Sequence, residues 1–392
     1  MENTPLIIVL PFVILAFMLG YFLGRKKNDS NDSASSYLLS SDYFKGLNYL
    51  LNEQTDKAID VFVGMLEVGE ETVDTHISLG NLYRQRGEVE QAIKIHQNVI
   101  AKPSLSLAKR NDALYELARD FMHAGLLDRA ENLFQALLQK QSHVPSALKY
   151  LLSIYEQEHD WSEAIITAKK LESAINKSYS LQVAHFYCEL ALANYQSGNS
   201  KEALKLVKKA LGTDKQSVRA SILEGEIHHK LGNCKAATRA YRRVEQQDPL
   251  LISEVLEPLI HCYKELGNNK EVKTYLEYVL NKYGGITSIL LYAEQIQSRV
   301  DDKTAALFIV ESLRKKPSLR GLSSLIDMSL DFTKGTAHDN LLILQEITNK
   351  LQENKPVYQC TQCGFHVKSM YWNCPSCKSW SSIKPIQGIE GE

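Results

Sequence analysis

Residues 79–98 read LGNLYRQRGEVEQAIKIHQN, and this stretch decides the fold because related versions of it recur along most of the chain. Its apolar residues are spaced for one face of a helix on either side of Gly87, which marks a turn. An interval of about 34 residues recurs between equivalent small residues, and two longer intervals predict short insertions in turns. The aligned positions are Ala58, Ala92, Ala130, Ala164, Ala203 and Ala237, with Val272 and Ala305 as weaker members.

A period of about 34 residues is typical of tetratricopeptide repeats, in which each repeat is a pair of helices. Small residues let the paired helices pack closely, while the glycine permits the turn between them. One repeat cannot bury its own apolar face, so neighbouring repeats must stack. We therefore predict an all-α tetratricopeptide-repeat solenoid over residues 41–355.

Stacked repeats are expected to form a concave groove that binds peptides or proteins. Most charged residues on such a face are simply solvated, so partner contact is a hypothesis for each residue separately. In the predicted register, the groove-facing helices present Asn81, Arg84, Arg119, His123, Lys149 and Glu226. Cys188, Cys234 and Cys262 are scattered through the same helical sequence, and we expect them to be small helix-packing residues.

Four of the seven cysteines are clustered near the C-terminus, as Cys360, Cys363, Cys374 and Cys377. In the spacing C-x2-C-x10-C-x2-C, each C-x-x-C loop can place two sulfurs on one metal ion, and four thiolates suit tetrahedral zinc or iron. We predict that residues 356–392 form a rubredoxin-like or zinc-ribbon metal knuckle with one structural metal ion. Because about 30 residues cannot build an adequate apolar core, the metal should supply much of the folding free energy.

Four cysteine ligands leave no open coordination position, so we expect no catalysis at this metal. Gly364 follows the second cysteine, as in zinc ribbons and rubredoxins, whereas Lys378 stands where the second loop usually has glycine. Two other functions stay open from these residues. One is electron transfer by an iron centre, and the other is nucleic-acid binding, which only Lys368, Lys378 and Lys384 favour.

An uncharged apolar segment, residues 5–24, lies near the N-terminus. About 20 apolar residues in a helix span the bilayer core, so we predict an N-terminal transmembrane helix within residues 1–27. Arg25, Lys26 and Lys27 follow it directly. By the positive-inside rule, the short N-terminus is then periplasmic and the body is cytoplasmic. A cleaved signal peptide would instead carry its positive charges before the apolar core.

Three small residues, Ala16, Gly20 and Gly24, recur every fourth position of the predicted anchor and would allow close packing with another membrane helix. The polar stretch at residues 28–36 predicts a flexible linker, residues 28–40, between the anchor and the body. The oligomeric state stays open.

The overall charge is close to balance, with 45 Lys plus Arg against 46 Asp plus Glu. A nucleic-acid-binding protein usually carries a basic excess that neutralises phosphates, so nucleic acid is not expected as the main partner. The clustered cysteines need free thiolates, which a reducing compartment preserves. This also favours a cytoplasmic body.

An N-terminal anchor, a tetratricopeptide body and a terminal four-cysteine module together resemble the lipopolysaccharide assembly protein B (LapB/YciM) family of Gram-negative bacteria. The resemblance is sharpest in GNLYRQRGEVEQAIKIHQ from Gly80, AHFYCELAL from Ala184, and the tail CTQCG…YWNCPSCKSWSSIKPIQG. It implies an inner-membrane protein whose four clustered cysteines bind the metal.

The same resemblance implies a non-enzymatic adaptor that restrains lipopolysaccharide synthesis. Proteins of this family help the membrane protease FtsH to degrade the deacetylase LpxC, and a membrane regulator of the YejM/PbgA type opposes them. Two alternatives remain: a rubredoxin-like redox protein, and a scaffold of the lipopolysaccharide assembly machinery without a role in proteolysis.

Overall fold

The computed structural model describes residues 44–52, 54–64, 72–353, 355–389 and 391–392. The predicted anchor, the predicted linker and the small residues Ala16, Gly20 and Gly24 lie outside these ranges. Among the helices within them, none is both long and apolar enough to cross a membrane. Contacts divide the chain into two compact units, of which the first ends at Ile154 and the second comprises Tyr155–Glu392.

The first unit is built from consecutive helices. They are α1 (44–51), α2 (Thr55–Gly64), α3 (Val73–Gln85), α4 (Val89–Ile100), α5 (Leu107–His123), α6 (Leu127–Gln139) and most of α7 (Val144–Glu158), within which the division falls.

The second unit continues the helical pattern and ends in a small sheet. Its helices are α8 (Trp161–Ile175), α9 (Ser180–Gln196), α10 (Ser200–Thr213), α11 (Val218–Lys230), α12 (Cys234–Gln247), α13 (Ser253–Glu265), α14 (Asn269–Lys282), α15 (Ile286–Arg299), α16 (Asp302–Lys315), α17 (Leu319–Leu330) and α18 (Thr336–Glu353). A 3₁₀ turn at Pro249–Leu251 precedes α13.

The predicted repeat register is confirmed by burial. Each aligned residue is the fourth residue of an even-numbered helix, the second helix of its pair, and each has zero solvent exposure. These residues are Ala58, Ala92, Ala130, Ala164, Ala203, Ala237, Val272 and Ala305. Gly87, which the sequence marks as a turn, has positive φ, and so do the glycines of four later turns, Gly125, Gly198, Gly232 and Gly267. Glycine adopts this conformation without steric cost.

Close approach of the paired helices requires glycine at positions 80 and 225, where the second helix presents a ring. A Cβ built on Gly225 would lie 2.3 Å from the ring of Tyr241, and one built on Gly80 would lie 2.4 Å from Nε2 of His96. Both distances are far inside van der Waals contact, so the glycines make room for rings that fill the seam.

A buried network of charges crosses three helices of the first unit. Asp120 of α5 accepts from Nη1 of Arg84 at 2.6 Å, and its other oxygen lies 2.5 Å from Nδ1 of His96. Arg84 also donates to Glu116 at 2.6 Å. Asp120 and His96 have no solvent exposure, so the Asp120 carboxylate depends on Arg84 and His96 for the stabilisation that water would otherwise provide.

The C-terminal module of the second unit is a three-stranded antiparallel sheet. Its strands are β1 (Tyr358–Cys360), β2 (His366–Val367) and β3 (Ile383–Pro385), arranged in the order β2-β1-β3. Tyr358 pairs with Val367 on one side and with Pro385 on the other. The sheet holds the first cysteine pair at its end, where β1 runs into a loop.

We predict that Asp120→Ala destabilises the first unit. The substitution leaves buried Arg84 and His96 without the shared carboxylate, and removing one partner of a buried ion pair typically costs about 3–5 kcal/mol. Amide hydrogen exchange of α3, α4 and α5 measures the local free energy of unfolding.

Asp74→Ala is the matched control, because the ion pair of Asp74 with Lys109 is largely exposed. Its loss should cost less than about 1 kcal/mol. Equal losses of protection in the two variants would contradict a structural role for the buried network.

Candidate metal centre

The four clustered cysteines converge as the sequence predicts. The sulfurs of Cys360, Cys363, Cys374 and Cys377 all lie within 4.8 Å of one another. Cys360 Sγ is 3.7 Å from Cys377 Sγ, and Cys363 Sγ is 3.8 Å from Cys374 Sγ. Four sulfurs bound at about 2.3 Å to one tetrahedral ion are about 3.8 Å apart, so the spacing fits a single metal ion.

Two loops of the same backbone geometry present these sulfurs. The N–H of Cys360 donates to the carbonyl of Phe365, and the N–H of Gly364 donates back to the carbonyl of Cys360. Fourteen residues later the pattern repeats, since Cys374 donates to Ser379 and Lys378 donates to Cys374. Each loop thus turns its two thiols toward the same point.

The local environment favours thiolate at Cys360. Burial raises the pKa of this thiol, but hydrogen bonding with Ser382 and with the backbone N–H groups of Gln362 and Cys363 outweighs burial and lowers the pKa to about 6. A thiolate is the form that binds metal. The donor set suits zinc or iron, and either ion, bound by four cysteines, would act as a structural crosslink with no open position.

Trp380 attaches the metal-binding module to the helices of the second unit. Its indole N–H donates to Glu156 Oε1 at 3.2 Å. Its ring stacks on His185 with centroids 4.7 Å apart, and its edge contacts Phe186 and Trp161. The indole N–H therefore has an acceptor, one face of the ring is covered by His185, and Phe186 and Trp161 pack against the ring at steep angles.

Polar contacts continue this attachment along the unit. The residues of the repeats and their partners in the module are His185 with Ser381, Asp248 with Lys384, Glu254 with Tyr358, and Arg320 with Glu392. The guanidinium of Arg219 also lies over the ring of Trp372, 5.9 Å from its centroid. Together these contacts hold the module against the solenoid from α7 to α17.

The predicted partner-binding residues fall into two groups. Arg84 is buried in the Asp120 network, and Asn81 accepts a hydrogen bond from it. Arg119 is partly buried and donates to both oxygens of Glu116. These side chains already have partners within the first unit.

The other predicted residues keep their side chains exposed, which suits contact with a partner. They are His123 and Lys149 in the first unit and Glu226 in the second. Contact with a partner stays a prediction for all six residues.

Sequence reasoning missed the aromatic and polar residues that receive the module. Tyr371, Trp372 and Trp380 were visible as aromatics beside the cysteines. Although His185 lies in the quoted segment AHFYCELAL, the local sequence does not indicate that His185 or Glu156 contacts the module. The only signal was that a metal module of this size must pack against something larger.

We predict that Lys378→Gly strengthens metal binding. Lys378 has φ 58°, in the same left-handed region as Gly364 with φ 75°. A non-glycine residue there costs about 1 kcal/mol, and folding of the module is coupled to metal binding, so glycine should lower the dissociation constant roughly five-fold. Competition with a chromogenic chelator measures it.

Lys378→Ala is the control for this prediction, because it removes the charge but keeps a Cβ in the strained conformation. It should bind metal no more tightly than the wild type. An equal gain in both variants would mean that the lysine charge, and not backbone strain, weakens the site.

We further predict that attachment of the module weakens below about pH 6.5. Burial, together with the positive charges of Arg219 and Lys384, lowers the pKa of His185 to about 3. Once the module detaches, His185 is rehydrated and takes up a proton near its ordinary pKa of about 6.5. Protons therefore favour the detached state, and the attachment free energy should fall by up to about 1.4 kcal/mol per pH unit.

Tryptophan fluorescence between pH 7 and pH 5.5 reports this detachment, with metal content measured at each pH to confirm that the centre stays loaded. His185→Gln can still hydrogen-bond with Ser381 but does not titrate, so its curve should be flat. A slope equal to that of the wild type would assign the effect to another group.

Comparison with known proteins agrees with these features. A family model described as a rubredoxin metal-binding domain, the zinc ribbon of LapB, matches residues 358–385. Models of the tetratricopeptide repeat match residues 75–107, 115–178 and 188–251. Among solved structures, a Naa15/Naa10 complex bound to HypK-THB covers 80% of this chain and 47% of its own, at 14% identity and a TM-score of 0.45.

Two curated relatives match nearly the whole chain. Lipopolysaccharide assembly protein B of Escherichia coli (strain K12) is 38% identical over 373 residues, which are 95% of this chain and 96% of the relative. The protein of the same name from Haemophilus influenzae is 32% identical over 385 residues, which are 96% of this chain and 97% of the relative. Because the identity extends through both the repeats and the metal-binding module, the chain belongs to the lipopolysaccharide assembly protein B family.

Proposed function

We propose that this protein is a non-enzymatic adaptor of the inner membrane that regulates lipopolysaccharide synthesis by promoting proteolysis of the deacetylase LpxC by the protease FtsH. The observation that carries the proposal is the attachment of a closed four-cysteine module to a repeat solenoid. Such an arrangement offers a fixed docking surface and no reactive metal position. Family membership supports the link to lipopolysaccharide.

In this proposal each part of the chain has one task. The predicted anchor holds the protein beside the membrane-bound protease, and the repeats together with the module hold the client. A membrane regulator of the YejM/PbgA type opposes the adaptor. These partners come from the family resemblance, and the attached module supports a role in presenting a surface to them.

Contacts of the lysines argue against a nucleic-acid-binding ribbon. Lys384 forms an ion pair with Asp248, and Lys368 donates to the carbonyl of Glu353. Two of the three lysines that favoured nucleic acid therefore make contacts within the chain. A redox role has less support than a structural one, because the module is integrated into the repeats by many side chains unrelated to electron transfer.

We predict that detaching the module impairs the regulation. Lys384→Glu places a carboxylate against Asp248, and close like charges repel, so the module should separate from the solenoid. In cells that depend on this variant, the half-life of the deacetylase should lengthen several-fold toward the value in depleted cells. Pulse-chase measurement of the deacetylase, with metal analysis of the purified variant, makes the test.

Lys378→Glu is the matched control, since it reverses a lysine that is exposed in the same module. It should leave the half-life short. If the half-life is unchanged even when the protein is depleted, regulation by proteolysis is wrong and the scaffold alternative gains support.

A further inference from the structure

A second cluster of metal-ligating side chains lies among the helices of the second unit. His229, Cys234 and Cys262 form a triad whose ligand atoms all lie within 4.8 Å of one another. A second triad with the same limit shares His229 and adds His261 and Glu265. Five potential ligands therefore meet at one place.

The repeat architecture explains why these residues meet. His229 is the penultimate residue of α11, and Cys234 is the first residue of α12, so the two flank a short turn. The other three side chains lie in the last turns of α13. Because α11 and α13 are the first helices of adjacent repeats, their C-terminal ends lie side by side.

The two imidazoles of the cluster are spaced as two ligands of one metal ion would be. Nε2 of His229 is 3.2 Å from Nδ1 of His261. Two nitrogens on one tetrahedral zinc ion, each bound at about 2.0–2.1 Å, would be about 3.3 Å apart. The thiol of Cys234 donates to Oε2 of Glu265, with Sγ 2.6 Å from the oxygen. A sulfur and an oxygen on one tetrahedral zinc ion would be about 3.6 Å apart, so this hydrogen bond has to break when an ion binds.

The cysteines of the cluster are buried, and two of its other side chains are exposed to solvent. Cys262 has no solvent exposure and Cys234 only 4%, whereas the side chains of His261 and Glu265 are about half exposed. The sulfurs are thus shielded from water, while the imidazole and carboxylate face solvent. A cation could enter from the solvent side and reach the buried thiols, as a metal site requires.

We propose that His229, Cys234 and Cys262 bind a second metal ion of the zinc type, with the fourth ligand supplied by the pair His261 and Glu265. Two sulfurs with imidazole select a borderline-soft transition metal over calcium or magnesium, which prefer oxygen. Each thiol releases one proton to solvent as the ion binds.

A metal ion bound at this site would crosslink α11, α12 and α13, the helices that support the metal-binding module. Cys234 and Cys262 belong to an apolar core, and Met370 and Trp372 of the metal-binding module pack against the same core. The bound ion would therefore stiffen the surface that receives the module. Metal binding at this cluster does not depend on the proposed function.

The test is the zinc content of the full chain, purified in detergent, equilibrated with Zn²⁺ and cleared of loosely bound ions. We expect about two zinc ions per chain in the wild type and about one in Cys262→Ala. Cys188→Ala is the matched control, because Cys188 is an equally buried cysteine of the same unit outside the cluster. It should keep about two ions.

Cys374→Ser removes a ligand of the four-cysteine site, so this variant should retain about one zinc ion, at the second site. A content of about one ion in the wild type, Cys262→Ala and Cys188→Ala alike would overturn the proposal. If Cys262→Ala does not fold by circular dichroism, the exposed pair is replaced instead, as His261→Ala with Glu265→Gln. Zinc affinity of the second site should then fall at least about ten-fold, and an unchanged affinity would also overturn the proposal.

Discussion

Close contact between paired helices is the constraint on which the rest of the structure depends. It is made possible by a side chain with no solvent exposure at the fourth position of the second helix in eight pairs, alanine in seven of them and Val272 in the other. At Tyr241, the ring of the second helix is accommodated by Gly225 of the first helix. This packing fixes the spacing of the repeats, and the spacing determines which side chains of neighbouring repeats meet. The Asp120 network and the cluster around His229 both arise from that spacing.

The metal-binding module depends on two separate sources of stability. Its own sheet buries little apolar surface, so the four thiolates and their ion must hold the two loops together. The repeats supply the second source, through the aromatic surroundings of Trp380 and the polar contacts that follow it. Each source compensates for what the other lacks, because the ion shapes the module internally while the repeats fix its position.

Much of this architecture could be predicted from the sequence because its determinants are local or periodic. The spacing of the aligned alanines predicts the helix pairs, and the spacing of the two C-x-x-C pairs predicts one metal site. The structure buries the alanines and brings the four cysteines together, as predicted. Lys378 was visible as a departure from the glycine pattern, and its positive φ shows that the backbone kept the conformation despite the substitution. Contacts between residues distant in sequence could not be predicted. The burial of Arg84, for example, depends on Asp120 one repeat away. The contact of His185 with Ser381 was equally unpredictable, because the two residues are 196 positions apart in the chain.

The attachment of the C-terminal module changes how the second unit is connected. In an ordinary solenoid each repeat contacts only its neighbours, so the ends can fray independently and stretch as a spring does. Here one folded segment contacts side chains as far apart in sequence as Glu156 and Arg320. The module therefore acts as a brace that joins distant repeats through a second path, and the unit should lose its repeats together instead of one by one. Many repeat proteins bend to adapt to their ligands, whereas the repeats of the second unit should bend less because the module connects them.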